Sequence, residues 1–415
     1  MSGRTDAPGP LRRRGPRPIL LHLLLAQMRS SASIAGSLSW KPASPHSNTG
    51  FGPPGPAAEA IAAALRANGS EAGFPAAVLA EALAQDTALL AGIAAYRRHP
   101  YARALADPPA LWEEGGSRLL DYGQPGAPGP VVLFVPSLVN RAYVLDLSPG
   151  RSMLRWLAAR GVHPLLLDWG WPGEIERAFT LTDYIAGRLE RALAAAAGAA
   201  GGKIVLAGYC MGGLLALAAA ERRGDLVRAL VLLATPWDFH AGGAAQAGTL
   251  TRMLTLLEPA LAAAGTLPVD ALQLLFALLD PWGVAEKYRG FGRLDQTGAR
   301  AELFVALEDW LNDGVPLAAP VARECLAGWY GANTPALGGW RVAGLAVDPR
   351  VLAMPSLVVV PGRDRIVPPE SALPLAGLIA GARVHAPAAG HIGMVAGAGA
   401  ERALWRVVRE WLGGV

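Results

Sequence analysis

Only two cysteines, Cys210 and Cys325, occur in 415 residues, which excludes a disulfide framework and a multi-cysteine metal site. That scarcity fits a reducing compartment, so the cytoplasm is the expected location. Charged residues make up only 17% of the chain, and the net charge of +4 is gathered partly in residues 11–17. No basic-aromatic module accompanies that patch, so nucleic acid is not an expected partner. No run of about 18 or more purely apolar residues occurs. Internal repeats, a dinucleotide-type glycine pattern and a cluster of metal-ligating side chains are all missing. No metal or redox cofactor is therefore expected.

What is abundant is apolar material: hydrophobic residues are 52% of the chain and the mean hydropathy is +0.29. Ala and Leu runs such as residues 193–200 supply much of it. The reading is a soluble chain with some apolar surface and enough core for one large α/β domain with insertions. At the amino end, Arg12-Arg13-Arg14 followed by the apolar residues 19–26 imitates a signal peptide. The run is short and broken by His22, so it reads instead as a short amphipathic helix.

Residues 1–60, rich in Pro, Gly, Ser and Arg, are expected to form a flexible tail or linker. Residues 61–116 carry Ala/Leu-rich helical patterns. From residue 117 short apolar strands alternate with helices, the pattern of a mostly parallel, doubly wound sheet. Strands are expected at Val131–Val135, 163–167, 203–207, 226–234, 357–360 and 382–385. Helices are expected at 151–160, 183–197, 212–223 and 401–412, with Thr182 capping the second and Gly198 stopping it. Residues 240–345 lose the alternation and read as a helical lid inserted in the core, which spans 117–239 and 346–415.

The most informative segment is an apolar strand running into Gly208-Tyr209-Cys210-Met211-Gly212-Gly213 and then straight into an Ala/Leu helix. That is a nucleophile elbow of the α/β-hydrolase fold with Cys where Ser is usual. Side chains two positions either side of the nucleophile would collide with neighbouring backbone, so Gly208 and Gly212 have a mechanical cause. The turn aims a helix amino terminus at the reacting carbon, where free N–H groups stabilise a thiolate and a developing oxyanion.

The order nucleophile, acid, histidine then selects the partners. Asp364 follows the strand at 357–360, and His391 follows the last strand between Gly390 and Ile392-Gly393. Both lie on loops at strand carboxyl ends, where open parallel sheets bind ligands. His391 is assigned to take the Cys210 proton, and Asp364 to orient and support the imidazolium. The oxyanion hole is assigned to the backbone N–H of Met211 and of Leu138, in the loop after Val131–Val135. Asp146, Asp168 and Asp238 sit at strand ends outside the triad order and read as structural caps. Cys325 reads as core. Tyr143, Trp169, Trp171, Trp237 and Trp310 either line a pocket or pack.

The segment from Val131 to Trp156, VVLFVPSLVNRAYVLDLSPGRSMLRW, resembles the polyhydroxyalkanoate synthase family. The likeness continues through Asp168-Trp169-Gly170-Trp171-Pro172, Leu181-Thr182-Asp183-Tyr184-Ile185, the Cys210 elbow, Thr235-Pro236-Trp237-Asp238-Phe239, and the Asp364 and His391 loops. It covers about residues 90–412 and is nearest to the short synthases that act with a partner subunit. The resemblance implies a cytoplasmic acyltransferase that joins 3-hydroxyacyl units from coenzyme A into polyester, with the chain carried on Cys210. Coenzyme A enters only as part of the substrate. A second synthase subunit or a homodimer is the implied protein partner, and the polyester granule surface the implied setting.

Two other outcomes share these residues. A Cys hydrolase, such as a thioesterase or lactone-opening enzyme, would use the same triad with water as acceptor. A non-catalytic protein binding granules or a partner would keep only the fold.

Overall fold

A computed structural model describes residues 13–38, 56–124, 129–277 and 280–415. The chain divides into two compact units, Met1–Pro100 with Asp280–Val305, and Tyr101–Leu279 with Ala306–Val415.

The first unit is helical, with α1 (Ile19–Leu38), α2 (Pro56–Ala67) and α3 (Phe74–Arg98). The tail expected over residues 1–60 is corrected here. His22, Ala26, Ser30 and Ser37 are buried along one face of α1, at spacings of one and two turns, and the helix read over 19–26 runs on to Leu38. Residues 1–12 and 39–55 of that expectation lie outside the described residues. By length and composition α3 is apolar enough to cross a membrane, although Ala82, Leu89, Gly92, Ile93 and Tyr96 are buried within the unit. An aromatic cluster joins α3 to residues 280–305: Tyr96 meets Tyr288 edge-on at 5.5 Å, and Phe291 stacks on Phe304 at 4.3 Å.

The second unit is the α/β core. Its strands are β1 (Ala110–Glu114), β2 (Ser117–Asp121), β3 (Val131–Val135), β4 (His163–Asp168), β5 (Ile204–Tyr209), β6 (Val227–Leu233), β7 (Ser356–Val359) and β8 (Arg383–His385). They form one sheet in the order β1-β2-β4-β3-β5-β6-β7-β8. Only the first two pairings are antiparallel; from β4 to β8 the strands run parallel. β1 lies within the segment read as purely helical, so that boundary moves back to Ala110. Its alternating, mostly exposed side chains carry little apolar signal. β5 is central and buried at all six positions, as a parallel strand covered on both faces must be. Strand order reverses between β3 and β5, which puts a crevice at their carboxyl ends.

Helices α4 (Met153–Ala158), α5 (Glu190–Ala200) and α6 (Met211–Arg222) cover this sheet. The helix expected over 183–197 begins with wide π-type turns at Asp183–Leu189 and continues through Gly198. It stops instead at Gly201, whose φ of 68° is the left-handed conformation glycine tolerates. Thr182 makes no capping bond; Thr180 does, its hydroxyl oxygen accepting from Asp183 N–H at 3.2 Å while its own N–H donates to the Asp183 carboxylate at 2.8 Å.

The insertion contains α7 (Ala244–Ala264), α8 (Val269–Ala277) and α9 (Gly283–Gly292). Read from sequence as one lid over 240–345, it is divided between the two units. Asp280–Val305 belongs with the amino-terminal helices, while α7, α8 and the residues after 305 stay with the sheet.

Candidate active site

β5 ends at Tyr209 and α6 begins at Met211, so the chain turns through a single residue, Cys210. That residue has φ 58° and ψ −128°, a backbone geometry that costs a non-glycine residue energy. The surrounding packing holds it: the Cys210 N–H donates to Leu233 O at 2.8 Å, and its carbonyl accepts from Gly213 N–H at 2.9 Å. A Cβ on Gly208 would stand 2.4 Å from Gly213 Cα, and one on Gly212 would stand 2.1 Å from Val135 O. Glycine at both positions is what lets the turn lie against β3 and α6.

Asp364 and His391 come to the same place on the loops after β7 and β8. The two loops are laced together, Gly362 N–H donating to Pro387 O at 2.9 Å and Arg363 N–H to Ala389 O at 3.0 Å. Asp364 accepts from the backbone N–H of Ile366 and of Val367 on Oδ1, at 2.8 and 2.9 Å. Its Oδ2 faces His391 Nδ1 at 2.6 Å. With Nδ1 engaged, Nε2 is the ring nitrogen left to serve Cys210, whose charge helps raise the imidazole pKa.

Both partners are buried, and the electrostatics follow. Burial alone would depress the imidazole pKa. The Cys210 charge, the hydrogen bond to Asp364 and the Asp364 charge outweigh it and push the pKa up to about 10. A protonated His391 is therefore the favoured state at neutral pH. Tyr209 braces this histidine from β5, its ring stacked at 5.1 Å and its hydroxyl donating to His391 O at 3.3 Å.

Cys210 opens on a cavity of about 470 Å³ at the carboxyl ends of the strands. Ser137, Val139 and Met211 form its rim nearest the elbow. Leu272, Phe276, Leu326 and Trp329 of the insertion supply apolar lining, and Asp364 lines the cavity as well.

The model of the α/β-hydrolase fold matches residues 130–398. The poly(3-hydroxyalkanoate) polymerase subunit PhaC of Allochromatium vinosum is 30% identical over 311 residues, covering 73% of this chain and 87% of that protein. The protein of the same name from Synechocystis sp. is 32% identical, covering 68% and 77%. That from Haloferax mediterranei is 31% identical over 68% of this chain but 58% of its own length. The chain belongs to the poly(3-hydroxyalkanoate) polymerase family. Its α/β-hydrolase fold, expected from the elbow and the alternating strands, is that of the family model as well.

Within this family member, the remaining candidates fall into place. Met211 lines the cavity; Leu138 is buried beside it while its neighbours Ser137 and Val139 reach the cavity surface. Asp168 and Asp146 are structural. Asp168 pairs with Arg118 and Arg141 and accepts from Gly170 N–H, and Asp146 holds Arg155, Arg103 and the Tyr122 hydroxyl. Asp238 caps a turn by accepting from His240 N–H at 2.9 Å, yet it also lines the cavity.

The five aromatics singled out from sequence pack or face solvent, and none lines the cavity. Trp169 Nε1–H donates to Pro136 O at 3.0 Å, Trp310 Nε1–H to Arg141 O at 2.7 Å, and the Tyr143 hydroxyl to Asp313 at 3.2 Å. Trp237 is buried and Trp171 exposed. Phe239, Phe276, Trp329 and Tyr330 are the aromatics of the cavity instead. Cys325 is buried, as expected of a core residue, but it lines the same cavity as Cys210. Burial, with Glu324 nearby, pushes its thiol well above the ordinary range. Nothing in the spacing of Cys325 within its helical segment signalled this; only the fold of the insertion brings it there.

Proposed function

We propose that the chain polymerises 3-hydroxyacyl units from coenzyme A through a thioester on Cys210. The observation that carries this reading is a cysteine on a strained elbow, lining an apolar cavity and coupled in charge to a buried His391–Asp364 pair. Cys210 sulfur attacks the thioester carbonyl, and the oxyanion is met by the Met211 N–H and a second backbone donor, assigned to Leu138. The bond to coenzyme A sulfur breaks, and the departing thiolate takes the proton from the His391 imidazolium. Cys210 then holds the acyl unit as a thioester.

In the next half of the cycle His391 accepts the proton of an incoming 3-hydroxyl. That oxygen attacks the acyl-Cys210 carbonyl, an ester forms, and the Cys210 thiolate leaves, again beside an imidazolium. Asp364 orients the ring and offsets its charge throughout. Exchange of one thioester for another is nearly balanced, which suits cysteine better than serine for a chain that must be passed on repeatedly. The apolar lining from the insertion keeps water from competing with the hydroxyl. No metal or redox group enters this scheme.

In this reading the enzyme works in the cytoplasm at the surface of its polyester product. The related proteins are named as polymerase subunits, which supports a second synthase subunit, or a second copy, as partner. The test is coenzyme A release from 3-hydroxybutyryl-coenzyme A with the acyl product sized. Insoluble polymer that vanishes in Cys210→Ala is the expected result. Free 3-hydroxybutyrate as the sole product would make the chain a hydrolase instead.

A further inference from the structure

We propose that the helical unit containing α1, α3 and α9 holds a second site, which binds a phosphate-bearing molecule through Arg289, Arg29 and Arg293. This inference does not rest on the chemistry of Cys210. Its residues on α1 and α3 lie before the stretch 130–398 that matches the hydrolase fold.

The observation that leads to it is a buried guanidinium left incomplete. Arg289 is only 5% exposed. Its Nε–H donates to Gln85 O at 3.0 Å, but its Nη2 is buried without a hydrogen-bond partner among the described residues. A buried guanidinium short of an acceptor is costly for a fold to retain, and an orphan donor of this kind calls for a missing acceptor. It borders a cavity of about 990 Å³ that runs between α1, α3 and α9.

Two further arginines face the same space. Arg29 from α1 and Arg293 just after α9 both line it, and neither makes an ion pair among the described residues. Burial and the Arg29 charge depress the pKa of Arg289, with Arg293 adding to the effect and Asp86 and Glu286 opposing it. The acids nearby are exposed or engaged. Glu81 and Glu286 stand at the exposed edge of the cavity, Glu81 accepting from Gln85 Nε2–H, and Asp86 accepts from the Ser30 hydroxyl at 3.0 Å. Three cations thus border one cavity where, among the described residues, no carboxylate pairs with the inner one.

A phosphoryl group suits that arrangement, since its oxygens accept several guanidinium N–H groups at once and its charge relieves the repulsion among them. The cavity is much larger than inorganic phosphate. Phe74, Val78 and Ala82 line it beside the arginines, which gives the organic part of a phosphate ester an apolar place to lie. A soluble ester and a lipid headgroup share this chemistry.

The test uses the full chain, with thermal unfolding and calorimetry against inorganic phosphate and glycerol 3-phosphate, each compared with sodium chloride at matched ionic strength. Sedimentation with phosphatidylcholine vesicles, with and without phosphatidic acid, forms a second arm. Phosphate or glycerol 3-phosphate should raise the melting temperature above the chloride control, or the phosphatidic acid vesicles should carry the protein down. The first result identifies a soluble ester and the second a headgroup. In Arg289→Met binding should weaken by about tenfold or more, the scale of one lost charged hydrogen bond, while coenzyme A release is retained. If Arg289→Met does not fold, the Arg29→Gln/Arg293→Gln double variant should show the same loss. Neither ligand nor vesicles binding beyond the controls, or unchanged binding in the variant that folds, overturns the proposal.

Discussion

His391 Nδ1 lies 2.6 Å from Asp364 Oδ2, and the other oxygen of that carboxylate is held by the N–H groups of Ile366 and Val367. The carboxylate therefore cannot swing away from the ring, and the ring presents Nε2 to Cys210.

Replacing Asp364 by Asn keeps the shape and removes the charge. The amide stabilises neither the required tautomer nor the imidazolium, so coenzyme A release should fall by about 10³–10⁴-fold with little change in KM, the scale of the equivalent change in serine triads. Steady-state kinetics at several pH values measure it. A loss below tenfold would remove Asp364 from the assignment.

The histidine also links stability to pH. Its folded pKa, pushed up to about 10, stands above the ordinary value of 6.5. The folded state thus binds the proton more tightly than the unfolded chain does. The contribution is complete below pH 6.5 and is lost as pH rises through about 10. Because the Cys210 charge is one cause of the rise, Cys210→Ala should flatten this dependence. Melting temperatures of both proteins across that window measure it, and identical slopes would contradict the Cys210–His391 coupling.

Two glycines provide a contrast in packing. Gly212→Ala would place its Cβ 2.1 Å from Val135 O, backbone that cannot step aside. A loss of about 1–3 kcal/mol or more and collapse of activity are expected. Gly198, on α5, has nothing within 4 Å of an added Cβ. Gly198→Ala should stabilise by about 0.4–1 kcal/mol, the entropy gained by restricting the unfolded chain. Chemical denaturation of the two variants separates these signs.

The two thiols of the cavity should behave differently. Cys210 sits beside a protonated imidazole, whereas burial holds Cys325 in its neutral form. Iodoacetamide at neutral pH should label Cys210 first, and Cys325→Ala should keep coenzyme A release within about threefold of wild type, since the reaction proceeds through thiolate. Peptide mapping of the alkylated protein checks the order.

The parts of the site legible in the sequence are those where geometry restricts residue type. The elbow left glycines because Gly208 and Gly212 touch backbone, and chain order with loop position singled out Asp364 and His391. The cavity wall left no such trace. Leu272, Phe276 and Trp329 are apolar residues on helices of the insertion, and any buried helix face reads alike until its partner is known. The aromatics at Trp169 and Trp310 were conspicuous because they pack, their indole N–H groups bonded to backbone carbonyls. Helix α1 was hidden for another reason. Its apolar face is interrupted by His22, Ser30 and Ser37, which are buried with hydrogen bonds to Arg17 O, Asp86 and Ile34 O. Buried polar residues bonded in this way look like solvent-facing ones in a sequence. The division of the insertion between two units likewise depends on the Tyr96, Tyr288 and Phe304 cluster, a contact between segments far apart in the chain.

The most direct measurement is the intact mass of the enzyme quenched in acid after one turnover with 3-hydroxybutyryl-coenzyme A, followed by peptide mapping. A mass increase of one or more whole 3-hydroxybutyryl units, located on Cys210 and absent from Cys210→Ala, is the predicted result. Coenzyme A release with no acyl group on Cys210, or with the acyl group on another residue, would contradict it.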